Sequence, residues 1–90
     1  MGKVIVTLRV SPNQEIDFRN ILENIKKVLE EFGGKYLEYK EVPVAFGIKV
    51  YDVKFLYPDK EFNEDLLLEK VRNIEGVEDC EVIGATLSSI

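Results

Sequence analysis

Side chains that could perform bond chemistry are scarce in this chain of 90 residues. It contains no histidine, one cysteine, and no Cys-x-x-Cys metal loop, glycine-rich phosphate loop or Gly-x-Ser-x-Gly nucleophile motif. General acid-base, covalent and metal-assisted catalysis each require such groups to be assembled in a pocket. The sequence therefore predicts a protein that is not an enzyme and that needs no metal or cofactor.

Carboxylates and phenols are the remaining candidates for chemistry. Four carboxylates lie close together, and these are Asp59, Glu61, Glu64 and Asp65. Their spacing lacks the Asp-x-Asp-x-Asp-Gly pattern of a calcium loop, so we interpret them as a solvated helix start. Three tyrosines have no neighbouring base and are interpreted as sheet residues, namely Tyr36, Tyr39 and Tyr51. Cys80 is interpreted as a small strand residue, and its solitary thiol fits a reducing compartment.

The overall charge and composition restrict the class of partner. The net charge is −5 and the pI is near 4.7, which disfavours nucleic-acid binding because that usually requires clustered Lys and Arg. No apolar run is long enough for a transmembrane helix, and residues 1–6 enter a strand pattern without the features of a signal peptide. We therefore expect a single cytoplasmic domain over residues 1–90, without direct contact with nucleic acid or membrane.

The segment most indicative of function places a large aromatic between proline and glycine, in the run Pro43-Val44-Ala45-Phe46-Gly47-Ile48. Pro43 lacks a backbone donor and Gly47 permits unusual dihedral angles, so sheet pairing is interrupted here and a side chain can be turned outward. Phe46 is therefore the first candidate for contact with a partner. The alternative is that Phe46 packs inward at the end of a strand.

Hydrophobic spacing predicts the elements that hold this segment. Alternating residues predict a first strand at 3–10, and apolar offsets of three and four predict a helix that begins after an Asp17 N-cap. Ile16 and Ile21 are placed to form a hydrophobic staple, and Gly33-Gly34 provides the helix exit. Residues 35–42 are predicted to form an edge strand, and residues 44–47 to connect it to a strand at 48–57 with a bulge or bend near residues 50–51.

The last third of the chain predicts a second helix and a final strand. Asn63 is the expected N-cap and Phe62 and Leu67 the expected staple, with Gly76 ending the helix before a strand at 80–87. The buried stripe of this helix consists of Leu67, Leu68, Val71 and Ile74. The resulting order predicts a ferredoxin-like βαββαβ fold, an α+β four-stranded antiparallel sheet with two helices on one face. Its uncovered face and hairpin loops are then available to a partner.

Three runs of residues resemble a known family. The runs are Val42-Pro43-Val44-Ala45-Phe46-Gly47-Ile48-Lys49, Asn73-Ile74-Glu75-Gly76-Val77 and Glu81-Val82-Ile83-Gly84-Ala85-Thr86. In these runs, and over nearly its whole length, the chain resembles archaeal elongation factor 1-beta, and it is also similar to the C-terminal exchange domain of the eukaryotic 1-beta subunit. The Pro-Val-Ala-Phe-Gly-Ile run is the most specific part of this resemblance.

The resemblance implies a guanine-nucleotide exchange factor that promotes GDP release from, and GTP reloading of, elongation factor 1-alpha. It implies that Phe46 enters an apolar pocket on that GTPase and that Pro43 and Gly47 shape the loop. The resemblance assigns seven residues to the contact with the partner, namely Pro43, Ala45, Phe46, Gly47, Lys49, Thr86 and Leu87.

The chain departs from the family at its end. Where the resemblance implies a basic residue that reaches toward the magnesium site of the GTPase, an ungapped alignment places Leu87. Three interpretations remain open: exchange driven mainly by Phe46, a basic group such as Lys49 arriving from elsewhere, or a homologue that binds without exchanging. Leu87 is equally well explained as the last inward residue of the final strand.

A second class of function is compatible with the predicted order of elements. An ACT-like regulatory domain shares this order and often ends its second helix with an Ile-x-Gly-Val turn, as at residues 74–77. The likeness of such domains to this chain is limited to those features. A stable dimer that binds an amino acid would favour an ACT-like function.

Overall fold

A computed structural model describes residues 3–58 and 63–88 of the chain. The elements are β1 (Lys3–Pro12), α1 (Phe18–Glu31), β2 (Lys35–Pro43), β3 (Lys49–Pro58), α2 (Glu64–Arg72) and β4 (Val77–Ser88), with a short 3-10 turn at Ala45–Gly47. All neighbouring strands are antiparallel, and their order across the sheet is β2-β3-β1-β4. This confirms the predicted ferredoxin-like fold with both helices on one face.

The core lies between that face of the sheet and the two helices. Alternate residues of β1 are buried, as the period-2 pattern predicts, and they join inward residues of β3 and both helices. The core residues that are almost completely buried include Val6, Leu8, Val53, Phe55, Ile25, Leu29, Leu67 and Val71. Burial of these side chains supplies the main driving force for folding.

The start and end of α1 confirm the local predictions. The Asp17 carboxylate accepts a hydrogen bond from the Arg19 N–H at 3.0 Å, and Gly33 leaves the helix at φ 80°. A Cβ on Gly76 would lie 3.1 Å from Ile16 Cδ1 and 3.0 Å from Ile21 Cδ1. Ile16 and Ile21 therefore both lie close against this glycine, in the turn before β4.

The N-cap of α2 is also as predicted, since the Asn63 side chain accepts a hydrogen bond from the Leu66 N–H at 3.1 Å. Helix α2 ends at Arg72, earlier than predicted, and Gly76 at φ 95° instead forms the turn into β4. The predicted Phe62 staple and the carboxylates Asp59 and Glu61 lie outside the described residues. Over residues 3–58 and 63–88 no group of three or more His, Cys, Asp or Glu side chains is placed to hold a metal.

The strands differ from the prediction in length and in the position of the bulges. β1 and β4 are longer than expected because residues 11–12 and 77–79 pair with each other. The bulge predicted near residues 50–51 was wrong: β3 keeps continuous register with β2 there, and the irregularities lie in β2 near Leu37 and in β4 near Glu78 and Ile83. The apolar pattern changes phase because Val50 is buried on the open face beside Val42, whereas Tyr51 packs on the core face.

The open face of the sheet carries a row of alternating charges. Register places Lys40 opposite Asp52, Asp52 opposite Arg9, and Arg9 opposite Glu81, so one residue of each strand contributes. Arg9 and Asp52 form a bidentate ion pair, with Nε to Oδ1 at 2.9 Å and Nη2 to Oδ2 at 3.1 Å. This pairing raises the pKa of Arg9.

Among the described residues no helix is long and apolar enough to cross a membrane.

Candidate partner-binding site

The hairpin between β2 and β3 ends in a short, tightly closed tip. Pro43 lies opposite Lys49 at the end of the ladder, and the Val44 N–H donates to the Ile48 carbonyl at 2.8 Å. The Ile48 N–H donates in turn to the Ala45 carbonyl at 3.4 Å, which closes the 3-10 turn. The connection predicted at residues 44–47 is therefore confirmed.

Phe46 occupies an unusual backbone conformation at this tip. Its φ and ψ are 63° and 30°, in the left-handed region, and Gly47 follows at φ 74°. Such a conformation costs on the order of 1–2 kcal/mol for a residue with a Cβ. Its side chain is 98% exposed, so the alternative in which Phe46 packs inward is wrong. The neighbours Val44 and Ile48 are also exposed, and together the three residues form an apolar surface at the tip.

An aromatic cluster supports the hairpin below its tip. The rings of Phe18 and Tyr51 stack with centroids 3.8 Å apart and planes within 1°, and Tyr39 lies 5.5 Å from Phe18 and 6.0 Å from Tyr51. The Tyr51 hydroxyl donates to Glu41 Oε1 at 3.4 Å. Burial and the nearby Glu41 carboxylate raise the pKa of Tyr51. Of the three tyrosines predicted to be sheet residues, Tyr39 and Tyr51 thus join the hairpin to the start of α1.

Gln14, in the connection between β1 and α1, makes a further contact with the hairpin. Its side-chain amide donates to the Lys49 carbonyl at 3.1 Å and to the Pro12 carbonyl at 2.9 Å, and its oxygen accepts from the Lys49 N–H at 3.2 Å. No sequence pattern indicates this contact, because it links residues 35 positions apart through a side chain that is common in exposed connections.

The residues assigned to the contact by resemblance divide into two groups. Pro43, Ala45, Phe46, Gly47 and Lys49 lie together at the hairpin tip. The Lys49 ammonium lies 3.5 Å from Glu41 Oε1, so its side chain is held at this end.

Thr86 and Leu87 lie at the other end of the sheet. They pair with Ile5 and Val4, whereas the base of the hairpin, at Tyr51, pairs with Val10. Val4, the partner of Leu87, and Val10, the partner of Tyr51, are six residues apart along β1, which corresponds to about 20 Å. Lys49 therefore lies at the opposite end of the sheet from position 87.

Leu87 faces the helix side of the sheet but is not a core residue. It lies opposite Val4 in the register, and its side chain is 70% exposed. Thr86, on the adjacent position, faces the open side of the sheet and is also exposed. The interpretation of Leu87 as an inward residue is thus right for its direction and wrong for its burial.

Cys80 has the environment of a structural residue. It is buried in β4, with Sγ 3.6 Å from the Leu68 carbonyl, and burial raises the pKa of its thiol. A raised thiol pKa lowers the thiolate fraction at neutral pH and so opposes nucleophilic reactivity. The predicted strand position of Cys80 is confirmed.

Comparison with known proteins assigns this architecture to a family. The model of the EF-1 guanine nucleotide exchange domain matches residues 5–87. The chain belongs to this family. Elongation factor 1-beta of Nanoarchaeum equitans is 36% identical over 77 residues, covering 86% of this chain and 94% of the relative. Elongation factor 1-beta of Ignicoccus hospitalis is 38% identical over 84 residues, covering 91% and 88%. The predicted family resemblance is therefore confirmed.

Solved structures with little sequence identity share the fold. The ACT domain from GTP pyrophosphokinase of Chlorobium tepidum aligns with a TM-score of 0.60 at 15% identity, covering 90% of this chain and 99% of that domain. The C-terminal domain of the MgtC protein from Mycobacterium tuberculosis aligns with a TM-score of 0.57 at 10% identity, covering 98% and 88%. These similarities show a common fold and give no support to an ACT-like function in particular.

Proposed function

We propose that this chain is a guanine-nucleotide exchange factor that acts on elongation factor 1-alpha and performs no bond chemistry of its own. One observation carries the proposal within the exchange-domain family: Phe46 is 98% exposed on a left-handed backbone at the hairpin tip. A buried aromatic would serve folding, but an exposed aromatic in a strained conformation is most useful when a partner covers it. The proposed role places the protein in the cytoplasm, with the translation machinery.

The proposed mechanism is thermodynamic linkage. A protein that binds the nucleotide-free GTPase more tightly than the GDP-bound form must lower GDP affinity by the same factor. GDP then leaves, and GTP, which is in excess in the cell, occupies the empty site. In this mechanism the chain itself holds no nucleotide, metal or cofactor, and it has no direct contact with nucleic acid.

Phe46 is proposed to be the principal anchor of the complex. A phenylalanine side chain can bury about 150–250 Å² in an apolar pocket, and such anchors dominate the energy of many interfaces. Val44 and Ile48 extend the apolar surface on both sides of the ring. Pro43, Ala45 and Gly47 shape the loop, and Lys49 contributes a charge at its base.

Thr86 and Leu87 are proposed to touch a second region of the GTPase. Because they lie about 20 Å along the sheet from the base of the hairpin, they and Phe46 cannot enter one pocket. Leu87 carries no charge, so its contribution is steric contact rather than attraction of phosphate or displacement of a cation. The exchange activity of this chain is therefore proposed to depend mainly on the hairpin tip.

Release of labelled GDP from elongation factor 1-alpha tests the proposal. Catalytic amounts of the chain should accelerate release, and Phe46→Ala should reduce the acceleration by about tenfold or more, as expected for an interface anchor. Leu66→Ala is the matched control, because it removes an exposed apolar side chain from α2. Binding without acceleration would reject the exchange function, and equal activity of the Phe46→Ala variant and wild type would exclude Phe46 from the site.

A further inference from the structure

We infer that Gln14 is a positioning residue, whose side-chain amide holds the hairpin tip against the connection between β1 and α1 and so directs Phe46. The consequence for activity rests on the proposed exchange function. The hold itself is a property of the free protein and can be measured without the GTPase.

The main-chain groups of Lys49 need a partner that the sheet does not supply. In an antiparallel ladder successive residues direct their N–H and C=O groups to alternate sides. The Val44 N–H bonds the Ile48 carbonyl within the hairpin, so the N–H and C=O of Lys49 face the other side, toward β1. The pairing of β1 with β3 has already ended at Val10 and Tyr51.

Proline at position 12 explains why β1 cannot complete the ladder. Continuing the register by two residues beyond Val10 and Tyr51 would bring Pro12 opposite Lys49, and proline has no N–H to donate. Gln14 supplies Lys49 with both a donor and an acceptor. A primary amide donates and accepts at once, so its Nε2 and Oε1 bond the Lys49 carbonyl and N–H as a paired strand would. The same Nε2 also bonds the Pro12 carbonyl, which fixes the amide on the end of β1.

The side-chain amide of Gln14 lies at a hollow between the hairpin tip and the rest of the molecule. A hollow of about 320 Å³ lies between the tip and the β1–α1 connection, with Ile16, Gly47 and Tyr51 in its lining. The Phe18–Tyr51 stack holds the hairpin below this level. Gln14 therefore joins the connection to the hairpin at Lys49, three residues from Phe46. Gln14 and Lys49 are both exposed, so water can replace the hydrogen bonds between them. Loss of these hydrogen bonds should therefore affect the order of the tip more than the stability of the fold.

Amide hydrogen exchange in the free protein tests the hold directly. Gln14→Met, which keeps the length and removes the polar groups, should lower protection of the Lys49 amide by about fivefold, in line with the loss of one exposed hydrogen bond, and should leave the Leu8 amide unchanged. Glu15→Ala is the control, because the Glu15 side chain makes no hydrogen bond with any residue in the described part of the chain. Unchanged protection at Lys49 would overturn the inference.

Gln14→Glu gives a second readout that depends on pH. At neutral pH its carboxylate can accept from the Lys49 N–H but repels the Lys49 and Pro12 carbonyls. Protonation restores a donor. Protection of the Lys49 amide, corrected for intrinsic exchange, should therefore increase toward the wild-type value as the pH is lowered through the titration of this carboxyl. A Gln14→Glu profile parallel to that of Gln14→Met would contradict the proposed bonding.

A double-mutant cycle in the GDP-release assay tests whether Gln14 acts through Phe46. Gln14→Met should reduce acceleration by about threefold to tenfold in the wild-type background and have no further effect in the Phe46→Ala background. Equal losses in both backgrounds would mean that Gln14 does not act by directing Phe46, which would overturn the inference. If the wild type gives no acceleration, the proposed function fails, and the Lys49 protection result alone decides whether Gln14 holds the tip.

Discussion

Two consecutive residues at the hairpin tip adopt left-handed backbone conformations, and their different side chains have different consequences. Phe46 bears a ring at φ 63°, whereas Gly47 at φ 74° avoids the steric cost that a Cβ would impose. Because Gly47 adopts this conformation without steric cost and Phe46 does not, we interpret the loop as one that keeps the Phe46 ring directed outward. The strained backbone therefore lies at Phe46, whose exposed side chain contributes no packing to the fold.

Gly47→Ala should lower the free energy of unfolding by about 1 kcal/mol, the typical cost of a left-handed alanine. A Cβ at this position would have no heavy atom within 4 Å beyond the adjacent residues, so steric overlap contributes nothing. Urea unfolding measures the change. A loss of several kcal/mol would show that the site is packed, and no loss would show that the loop shifts to a right-handed turn.

Asp17 makes the stability of α1 dependent on pH. Hydrogen bonds from the Arg19 side chain, then from its backbone N–H, lower the pKa of Asp17. A lowered folded-state pKa gives stability that is present above the unfolded-state value of about 4 and lost as the pH falls through the folded-state value. Asn at this position also caps the helix but does not titrate. The free-energy difference between wild type and Asp17→Asn should therefore shift against the wild type between about pH 5 and pH 3. Parallel unfolding curves across this range would contradict the assignment.

At the scale of elements, the aromatic cluster joins α1, β2 and β3, and a pair of identical substitutions separates its role from that of the tip. Phe18→Ala should reduce the free energy of unfolding by about 3–5 kcal/mol, because Phe18 is buried and stacked on Tyr51. Phe46→Ala removes the same atoms from an exposed position and should change it by less than about 0.5 kcal/mol. Chemical denaturation of both variants measures the contrast. Similar losses would show that Phe46 also packs in solution.

The elements that sequence predicts well are those with local signals. Asp17 and Asn63 cap their helices through bonds to backbone groups two and three residues away, so residue type and position were sufficient. Strand lengths and bulges depend on partners far away in sequence. Two adjacent apolar residues, Val50 and Tyr51, suggested a bulge. In the structure Val50 is buried on the open face beside Val42, and no local pattern indicates this burial.

The candidate site was predicted in part for the same reason. Proline, aromatic and glycine are close together in sequence, so residues 43–48 alone made Phe46 a candidate for contact with a partner, but they left inward packing of the ring open. The separation of Leu87 from the tip follows from strand register, and the amide of Gln14 meets Lys49 only after β1 and β3 have paired. Neither distance nor side-chain bonding of that kind leaves a pattern in the chain.

At the scale of the whole molecule, position 87, at the end of the sheet opposite the hairpin, holds leucine in place of the basic residue that family resemblance implies. Leu87→Lys should increase the acceleration of GDP release severalfold if a charge at this end contributes to exchange. Leu87→Gln is the matched control, because it also removes the apolar side chain. Since Leu87 is 70% exposed, both variants should unfold within about 0.5 kcal/mol of the wild type. Equal rates for the Lys and Gln variants would exclude a role for charge at this position.

The row of alternating charges across the open face has a consequence for behaviour on heating. Ion hydration becomes less favourable as temperature rises, so the cost of bringing charged groups together falls, and networks of such groups gain weight relative to isolated pairs. Arg9 and Asp52 form the bidentate pair at the centre of this row and join β1 to β3, and Lys40 of β2 and Glu81 of β4 lie beside them in the register. The pairing of β1 with β3 should therefore be retained in hot solution, because the cost of bringing the charges of Arg9 and Asp52 together falls as the temperature rises.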